Sequence, residues 1–419
     1  MANKISRHED AVRRVAMVTA LLLAFASAAH AAPPWLTAKE READFDSLMR
    51  FVASLYCYLP QKATDWSAVE AHYRPLASEA KSEDSFVRVL EQTLEELYDS
   101  HVMLNTNLPD SWRIPPGDIW ASWSGQHALV GEVRAGSTAD AAGLRAGAII
   151  VAVDGKSMRD AAKQRLPHFL RHTDAAADDW ALLSLLSGRH DRPLRLTLSS
   201  GAVLAISEGT SLHEPLVTSR ELPNRIGYIR ISSFADDVIV EQFDAALFAL
   251  RETGALIIDV RGNRGGDTGV AGPIMGRFID KELPYAVMAR RSGEAMGAQW
   301  TERISPRGLF RYDRPLVVLV DHFSASMAEG FAMGLSGMQR AKIVGTKMAG
   351  LGAGVVRTIL PFSQLPIQIS GEPVFQLNGK PRDAFVPDLF VDIPSGLGRD
   401  PILAAALSTV TQSSRKSPP

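Results

Sequence analysis

The sequence predicts a multidomain α+β protein: a bundle of helices at the N-terminus, a small β-rich domain in the middle, and a larger αβ domain to the end. Three observations predict this. Apolar residues recur at helical spacing between residues 38 and 104, short strands alternate with glycine turns between 116 and 207, and buried strands alternate with amphipathic helices after 215. The chain has 419 residues, 46% of them apolar, which suits two or three domains.

The first segment, residues 1–31, reads as a secretory signal. Arg13 and Arg14 precede an apolar run from Val15 to about Ala28, and Ala29, His30 and Ala31 form an AxA cleavage pattern, which predicts a cut after Ala31 and a periplasmic or secreted protein. An uncleaved anchor is the alternative, but the run of about 14 residues is short of the roughly 20 that span a bilayer. The net charge is −2; the signal carries four basic and two acidic residues, so the remaining chain comes to −2 − (4 − 2) = −4. Neither nucleic acid nor a stable membrane span is indicated as a partner. The single cysteine, Cys57, cannot form an intrachain disulfide and reads as a buried thiol.

In the helical domain, residues 35–110, one helix places Phe45, Leu48, Met49, Val52 and Leu55 on a face, and another does the same with Phe86, Val89, Leu90, Leu94 and Leu97. The second pattern ends at Asp99, Ser100 and His101. On these facts alone His101 reads as a surface or capping residue.

The middle domain, residues 116–208, reads as strand, turn, short helix ended by Gly143, then a strand into the turn Asp154-Gly155 and a last strand pair around Gly201. Its GLRAGAIIVAVDG resembles the GLxxGDxIxxVNG core of a PDZ domain. Two features depart from that pattern: WSGQH before Ala128 is not a GLGF-type carboxylate-binding loop, and residues 158–187 hold a longer, Pro-interrupted helical stretch.

The large domain, residues 212–410, carries strands at 226–232 and 255–260 around a helix at 236–254, which implies a right-handed parallel crossover with functional loops at the strands' C-terminal ends. Two such loops carry chemistry. RGNRGGD (261–267) has paired glycines that admit positive φ and bring backbone N–H groups close to a ligand, but it lacks GxGxxG and GK[ST], so a nucleotide site is not indicated. DHFSAS (321–326) follows the buried strand 316–320 and opens a helix, with Ser324 as the expected N-cap and Ser326 in the first turn, where free N–H groups and the helix dipole favour developing negative charge. By itself this pattern usually means only a well-capped helix. Residues 411–419 read as a disordered tail.

DVRGNRGGD, FSASMAEGF, VGTKMAGLG and FVPDLFV, in that order, resemble the tail-specific proteases, the serine peptidases that include C-terminal processing peptidases and tricorn. The resemblance implies a crotonase-like αβ catalytic core behind a PDZ-like domain, and no cofactor or metal. It implies Ser326 as nucleophile, with an oxyanion hole from the N–H groups of Met327 and of Gly265 or Gly266. Processing peptidases carry a general-base lysine in a GKG turn, where this chain has Leu351. The tricorn-like branch uses a histidine preceded by serine, which Ser100-His101 matches. The family's acid falls at Asp383, with Ser100 as relay to His101; Asp383 paired to Arg382 or Lys380 on the surface is the alternative. Lys347 is the alternative base.

The expected function is therefore a serine endopeptidase acting on secreted or periplasmic polypeptides through an acyl-enzyme, with the acidic limb of kcat/KM near roughly 6 to 7, where an unperturbed histidine titrates. Two other readings stay open: a catalytically inactive peptidase-like fold that binds peptides or apolar ligands, and a PDZ adaptor. Substrate preference and oligomeric state are not legible.

Overall fold

The structure, a computed structural model, describes residues 35–207, 215–293, 295–392 and 400–416. The expected signal segment, 1–31, and the expected boundary near 208–212 lie outside the described residues.

Helices α1 (Ala38–Leu55), α2 (Trp66–Glu79) and α3 (Glu83–Glu95) form the N-terminal domain. Thr37 and Glu40 close a capping box at the start of α1, each satisfying the other's backbone N–H. Phe45, Leu48, Met49 and Val52 of α1 then meet Phe86, Leu90 and Leu94 of α3 across Val69 and Tyr73 of α2. Each such fully buried apolar side chain contributes about 1.5–3 kcal/mol. This core is not closed by helices alone, because Leu360, Leu365, Ile367 and Ile369 of the last domain complete it. After α3 the chain enters β1 (Met103–Leu104), which pairs antiparallel with Gln368 and Ile367.

The middle domain comprises β2 (Ile119–Ser124), β3 (His127–Val133), α4 (Thr138–Ala141), β4 (Ile149–Val153), β5 (Lys156–Ser157), α5 (Met158–Lys163), α6 (Ala175–Ser187), β6 (Leu194–Leu198) and β7 (Val203–Ile206). Its sheet runs β2-β3-β4-β6-β7, with β5 on β4. Asp154 and Gly155 both adopt positive φ, the geometry that lets a two-residue turn follow strand twist. WSGQH is the hairpin turn between β2 and β3.

The last domain begins with β8 (Val217–Leu222), β9 (Ile226–Ile231), α7 (Val238–Ala249), β10 (Ala255–Asp259) and α8 (Thr268–Met275). It continues through β11 (Leu283–Met288), β12 (Arg291–Ser292), β13 (Ala295–Met296), β14 (Trp300–Ile304), β15 (Leu316–Val320), α9 (Met327–Gly337) and β16 (Lys342–Gly345). It ends with β17 (Ala353–Ile359), β18 (Pro366–Phe375), β19 (Leu389–Phe390) and α10 (Pro401–Lys416). The main sheet has the order β19-β16-β15-β10-β9-β8, parallel except for β8. Both faces are covered, by α7, α8 and α9 on one side and α10 on the other, which explains why LIID and LVVLV are continuously apolar until their ends. A second sheet runs β1-β18-β11-β14 with β17 on β18, so one strand of the N-terminal segment is built into it. The strands between 283 and 304 are not legible in the sequence. Helix α10 runs six residues past Val410, into the stretch expected to be a disordered tail, because its polar residues continue a helix already anchored by Ile402, Ala406 and Val410.

Asp44 of α1 is fully buried and accepts from the backbone N–H groups of Phe362 (2.9 Å) and Ser363 (2.7 Å), tying the bundle to the β17–β18 turn. Asp44→Ala strands two donors and is expected to lower stability by roughly 2–3 kcal/mol, read as a shift in the urea midpoint. An unchanged midpoint would mean that water serves that turn.

Candidate active site

The chain leaves β15 at Val320 and turns through Asp321–Ala325 before α9. Ser324 does not cap the helix. Its hydroxyl, fully buried, lies 2.9 Å from the Val260 carbonyl and 3.0 Å from Asp321 Oδ1, and accepts from the Asp321 N–H. That hydroxyl cannot reach the helix, so α9 starts three residues later, with Ser326 at the N-cap position. Ser326 has φ 55° and ψ −115°, a conformation that costs a non-glycine residue about 1–3 kcal/mol and persists only when its surroundings impose it.

Glu329 imposes much of it. Its carboxylate is 1% exposed and accepts from the N–H groups of Ser326 (2.7 Å), Gly350 (2.8 Å) and Leu351 (3.0 Å). Burial raises its pKa to about 7, against the opposing pull of Arg382 and those three N–H groups. In sequence Glu329 reads only as a helix former; its spacing of three from Ser326, the capping-box distance, is the signal that could have found it.

The glycine loop is pinned to the serine loop by backbone and side chain. Ala325 N–H donates to Asn263 O (2.9 Å), and Gly262 N–H to Asp321 Oδ1 (2.9 Å). Fully buried Asn263 accepts from Gly265 N–H through Oδ1 (2.8 Å). Gly265 has φ 97°, and a Cβ there would lie 2.7 Å from Ala325 O, Met327 N and Ser326 Cβ, so only glycine admits this approach. Gly266 has φ 144°, and a Cβ would strike the Phe234 backbone. Among the described residues, the N–H groups of Met327 and Gly266 have no hydrogen-bond partner, whereas that of Gly265 is taken by Asn263. Of the two glycines, Gly266 is thus the one with a free donor.

His101 arrives from the other end of the chain. Its Nε2 is 3.1 Å from Ser326 Oγ, across 225 residues of sequence. The loop is held by Asp99, whose Oδ1 accepts from His101 N–H (2.8 Å), by Gln368, which donates to His101 O (3.2 Å), and by β1 on β18. Burial lowers the pKa of the ring to about 4: Asp99 and the Ala353 carbonyl favour the imidazolium, Arg382 and Arg357 oppose it, and desolvation outweighs them all. Its Nδ1 is buried with no partner at hydrogen-bond geometry.

The remaining expected residues are not brought to the histidine. Among the described residues, no hydrogen bond joins Asp383 to Ser100 or Ser100 to His101, and Asp383 makes no ion pair with Arg382 or Lys380. Asp383 is exposed in the turn Arg382–Ala384, its carboxylate 3.3–3.4 Å from where a Cβ of Gly352 would lie. The reason is its neighbour. Arg382 is 5% exposed and points inward, donating to the carbonyls of Leu351 (2.8 Å) and Ala353 (3.0 Å), so the adjacent side chain faces out. Lys347 is exposed and makes no hydrogen bond with the serine. Leu351, in the position of the family lysine, is held by its backbone, N–H to Glu329 and O to Arg382. Beside Ser100 and Leu351 a cleft of about 530 Å³ opens between the three domains, lined also by Tyr58, Asp99, Trp180 and Asp383. No group of His, Cys, Asp and Glu suited to a metal ion occurs among the described residues.

A helical domain, a PDZ-like domain and an αβ core that brings a serine and a histidine into hydrogen-bond contact have the arrangement of a multidomain serine peptidase. Residues 225–387 match the Peptidase family S41, residues 37–95 the Tricorn protease C1 domain, and residues 129–166 the PDZ domain. Over residues 225–387 the chain is similar to the S41 family of serine peptidases. It is 31% identical over 237 residues to the carboxyl-terminal-processing protease of Synechocystis, covering 55% of this chain and 50% of that one. With the carboxy-terminal processing protease CtpA of Bacillus subtilis it shares 29% over 236 residues, 54% of this chain and 45% of the other. These alignments span about half the length of the curated relatives. The solved structure of mature CPAF complexed with lactacystin is similar in fold, at TM-score 0.59 and 15% identity over 90% of this chain and 98% of that one.

Glu329→Gln replaces one acceptor by a donor facing buried N–H groups. It is expected to lower stability by roughly 1–3 kcal/mol, measured by chemical denaturation. A midpoint equal to wild type would show that the Ser326 conformation does not depend on this carboxylate.

Proposed function

We propose that this chain is a serine endopeptidase that hydrolyses secreted or periplasmic polypeptides through an acyl-enzyme, with Ser326 as nucleophile and His101 as base. The observation that carries the reading is the 3.1 Å contact between His101 Nε2 and Ser326 Oγ, made by a serine held in a strained conformation beside two unpaired N–H donors. For Nε2 to accept the serine proton, the neutral ring must carry its hydrogen on Nδ1. Ser326 Oγ attacks the peptide carbonyl as its proton passes to Nε2. Met327 N–H and Gly266 N–H receive the developing oxyanion, and the imidazolium then protonates the leaving amine. Water, deprotonated by the same nitrogen, hydrolyses the ester and releases Ser326. Asp383 and Ser100 take no part in the proton path of this reading, and a Ser326–Lys347 pair is disfavoured because the lysine is exposed and makes no hydrogen bond with the serine.

The periplasmic or secreted setting rests on the AxA pattern at Ala31. No helix among the described residues is long and apolar enough to cross a membrane.

Labelling by a fluorophosphonate probe tests the nucleophile. Wild type is expected to label, whereas Ser326→Ala neither labels nor hydrolyses and unfolds at nearly the wild-type temperature. A folded wild type that resists several such probes would favour the binding-protein reading.

The pH profile separates burial from ordinary histidine chemistry. The base works only when neutral, and its pKa is lowered by desolvation, so the acidic limb of kcat/KM moves down from the 6-to-7 range to near about 4. A limb at about 6.5 would mean that the ring is solvated in the working enzyme.

Gly265→Ala should lower kcat on the order of 100-fold with a smaller change in KM, since its Cβ would displace the Met327 donor. A rise in KM alone would assign the loop to substrate binding.

A further inference from the structure

The PDZ-like domain touches the core where the two reactive loops lie. Glu132 of β3, 7% exposed, accepts through Oε2 from the His322 N–H (3.2 Å) and lies 2.6 Å from His322 Nδ1. Thr346 Oγ1, from the end of β16, reaches the same oxygen at 3.4 Å. Trp120 of β2 stacks on the His322 ring, with centroids 4.7 Å apart and planes 21° from parallel. On the glycine loop, Arg264 donates to the carbonyls of Pro116 (2.9 Å) and Gly117 (3.2 Å). His322 follows Asp321, the residue whose Oδ1 accepts from Gly262 and Phe323 N–H and so couples the two loops.

The same domain is poorly arranged to hold a free C-terminus. A PDZ domain takes a peptide as an added strand on a sheet edge and its carboxylate on a nest of backbone N–H groups. The edge strand nearest the helix is β2, and Trp123 bridges that gap: its Nε1 donates to Asp178 O of α6 (3.2 Å), while Arg159 lies 3.6 Å over its ring and bonds the Asp178 carboxylate. The segment leading into β2 is Pro115-Pro116-Gly117, whose prolines have no N–H to offer. Its carbonyls face Arg264.

We propose that the PDZ-like domain is a clamp on the oxyanion loops rather than a receptor for free C-termini, and that Glu132 is the positioning residue through which it acts. Glu132 holds His322 from both its backbone and its ring. His322 lies four residues before Ser326, and the Ala325 and Asp321 bonds carry its position to Asn263 and the Gly266 donor. Without the acceptor, the His322 N–H, its Nδ1 and the Thr346 hydroxyl lose a shared partner in a largely buried interface, and the loops gain freedom at the two donors.

The inference rests on the peptidase reading for its kinetic consequence, but hydrogen exchange tests it independently. The full chain is compared with Glu132→Ala and Glu132→Gln in three ways: turnover of unfolded casein, fluorophosphonate labelling rate, and amide exchange in peptides covering 261–267 and 321–329. Glu132→Ala is expected to lower kcat and labelling about 10-fold or more, a part of what loss of one oxyanion donor costs, with KM within about twofold. Exchange should rise in both peptides and not in the main sheet. Glu132→Gln keeps one acceptor oxygen and should recover part of each effect, whereas Glu132→Met, which keeps the packing without the acceptor, should not. A folded Glu132→Ala with wild-type labelling and exchange overturns the proposal, as does a rise in KM alone. Should Glu132→Ala not fold, His322→Asn is measured in the same three ways, and the same results support or overturn the clamp. A wild type that never labels removes the peptidase reading, while the exchange comparison still decides the clamp.

Discussion

One hydrogen bond, from Ser326 to His101, sets the demands on everything around it. It joins a loop after the third helix to a loop before the ninth, 225 residues apart, and in the proposed reaction a misplacement of about 1 Å would cost roughly 100-fold in rate. The structure meets that demand by fastening each loop to a rigid strand. β1 pairs with β18, Gln368 of β18 binds the His101 carbonyl, and Asn263 and Asp321 bind the serine loop to the glycine loop. The site is therefore a property of the domain assembly. No single domain contains it.

The same dependence shows in the cores. The core of the helical bundle is completed by four leucines and isoleucines from the β17–β18 region. Fully buried Asp44 satisfies the turn between those strands. Separating the bundle from the core would expose this shared cluster and carry His101 away with it, so folding free energy and active-site geometry are stored in the same contacts.

Electrostatics favour a neutral imidazole at His101. His101 is desolvated, and Arg382 lies close enough to oppose its protonation. Arg382 also fastens the turn in which the related peptidases carry lysine, through the carbonyls of Leu351 and Ala353, while Glu329 takes the N–H groups of Gly350 and Leu351. A turn gripped from both sides by its backbone needs no functional side chain at Leu351. In the proposed reaction a histidine, with its low intrinsic proton affinity, suits such a site better than a lysine, which would have to lose a proton it holds to about pH 10.4.

Local pattern in the sequence determined the elements. The 3.6-residue spacing of Phe45, Leu48, Met49 and Val52, the apolar runs LIID and LVVLV, and the Asp154-Gly155 turn each state their conformation within a few residues, because side-chain periodicity and backbone freedom are short-range properties. The paired glycines and the serine before α9 are legible for the same reason. The cap is not: Ser324 and Ser326 are equally plausible N-caps in sequence, and only the nearby Val260 carbonyl and Asp321 decide that Ser324 turns inward. Nor can sequence choose between Gly265 and Gly266 as donor, since the choice depends on where the Asn263 side chain points. Position in a motif puts Asp383 beside the histidine, whereas the inward turn of Arg382 leaves it facing solvent. The depressed pKa of His101 and the reach of Glu132 to His322 come from burial and from contacts between distant segments. Desolvation and through-space charge depend on what surrounds a group in three dimensions, and the order of residues along the chain does not contain that information locally.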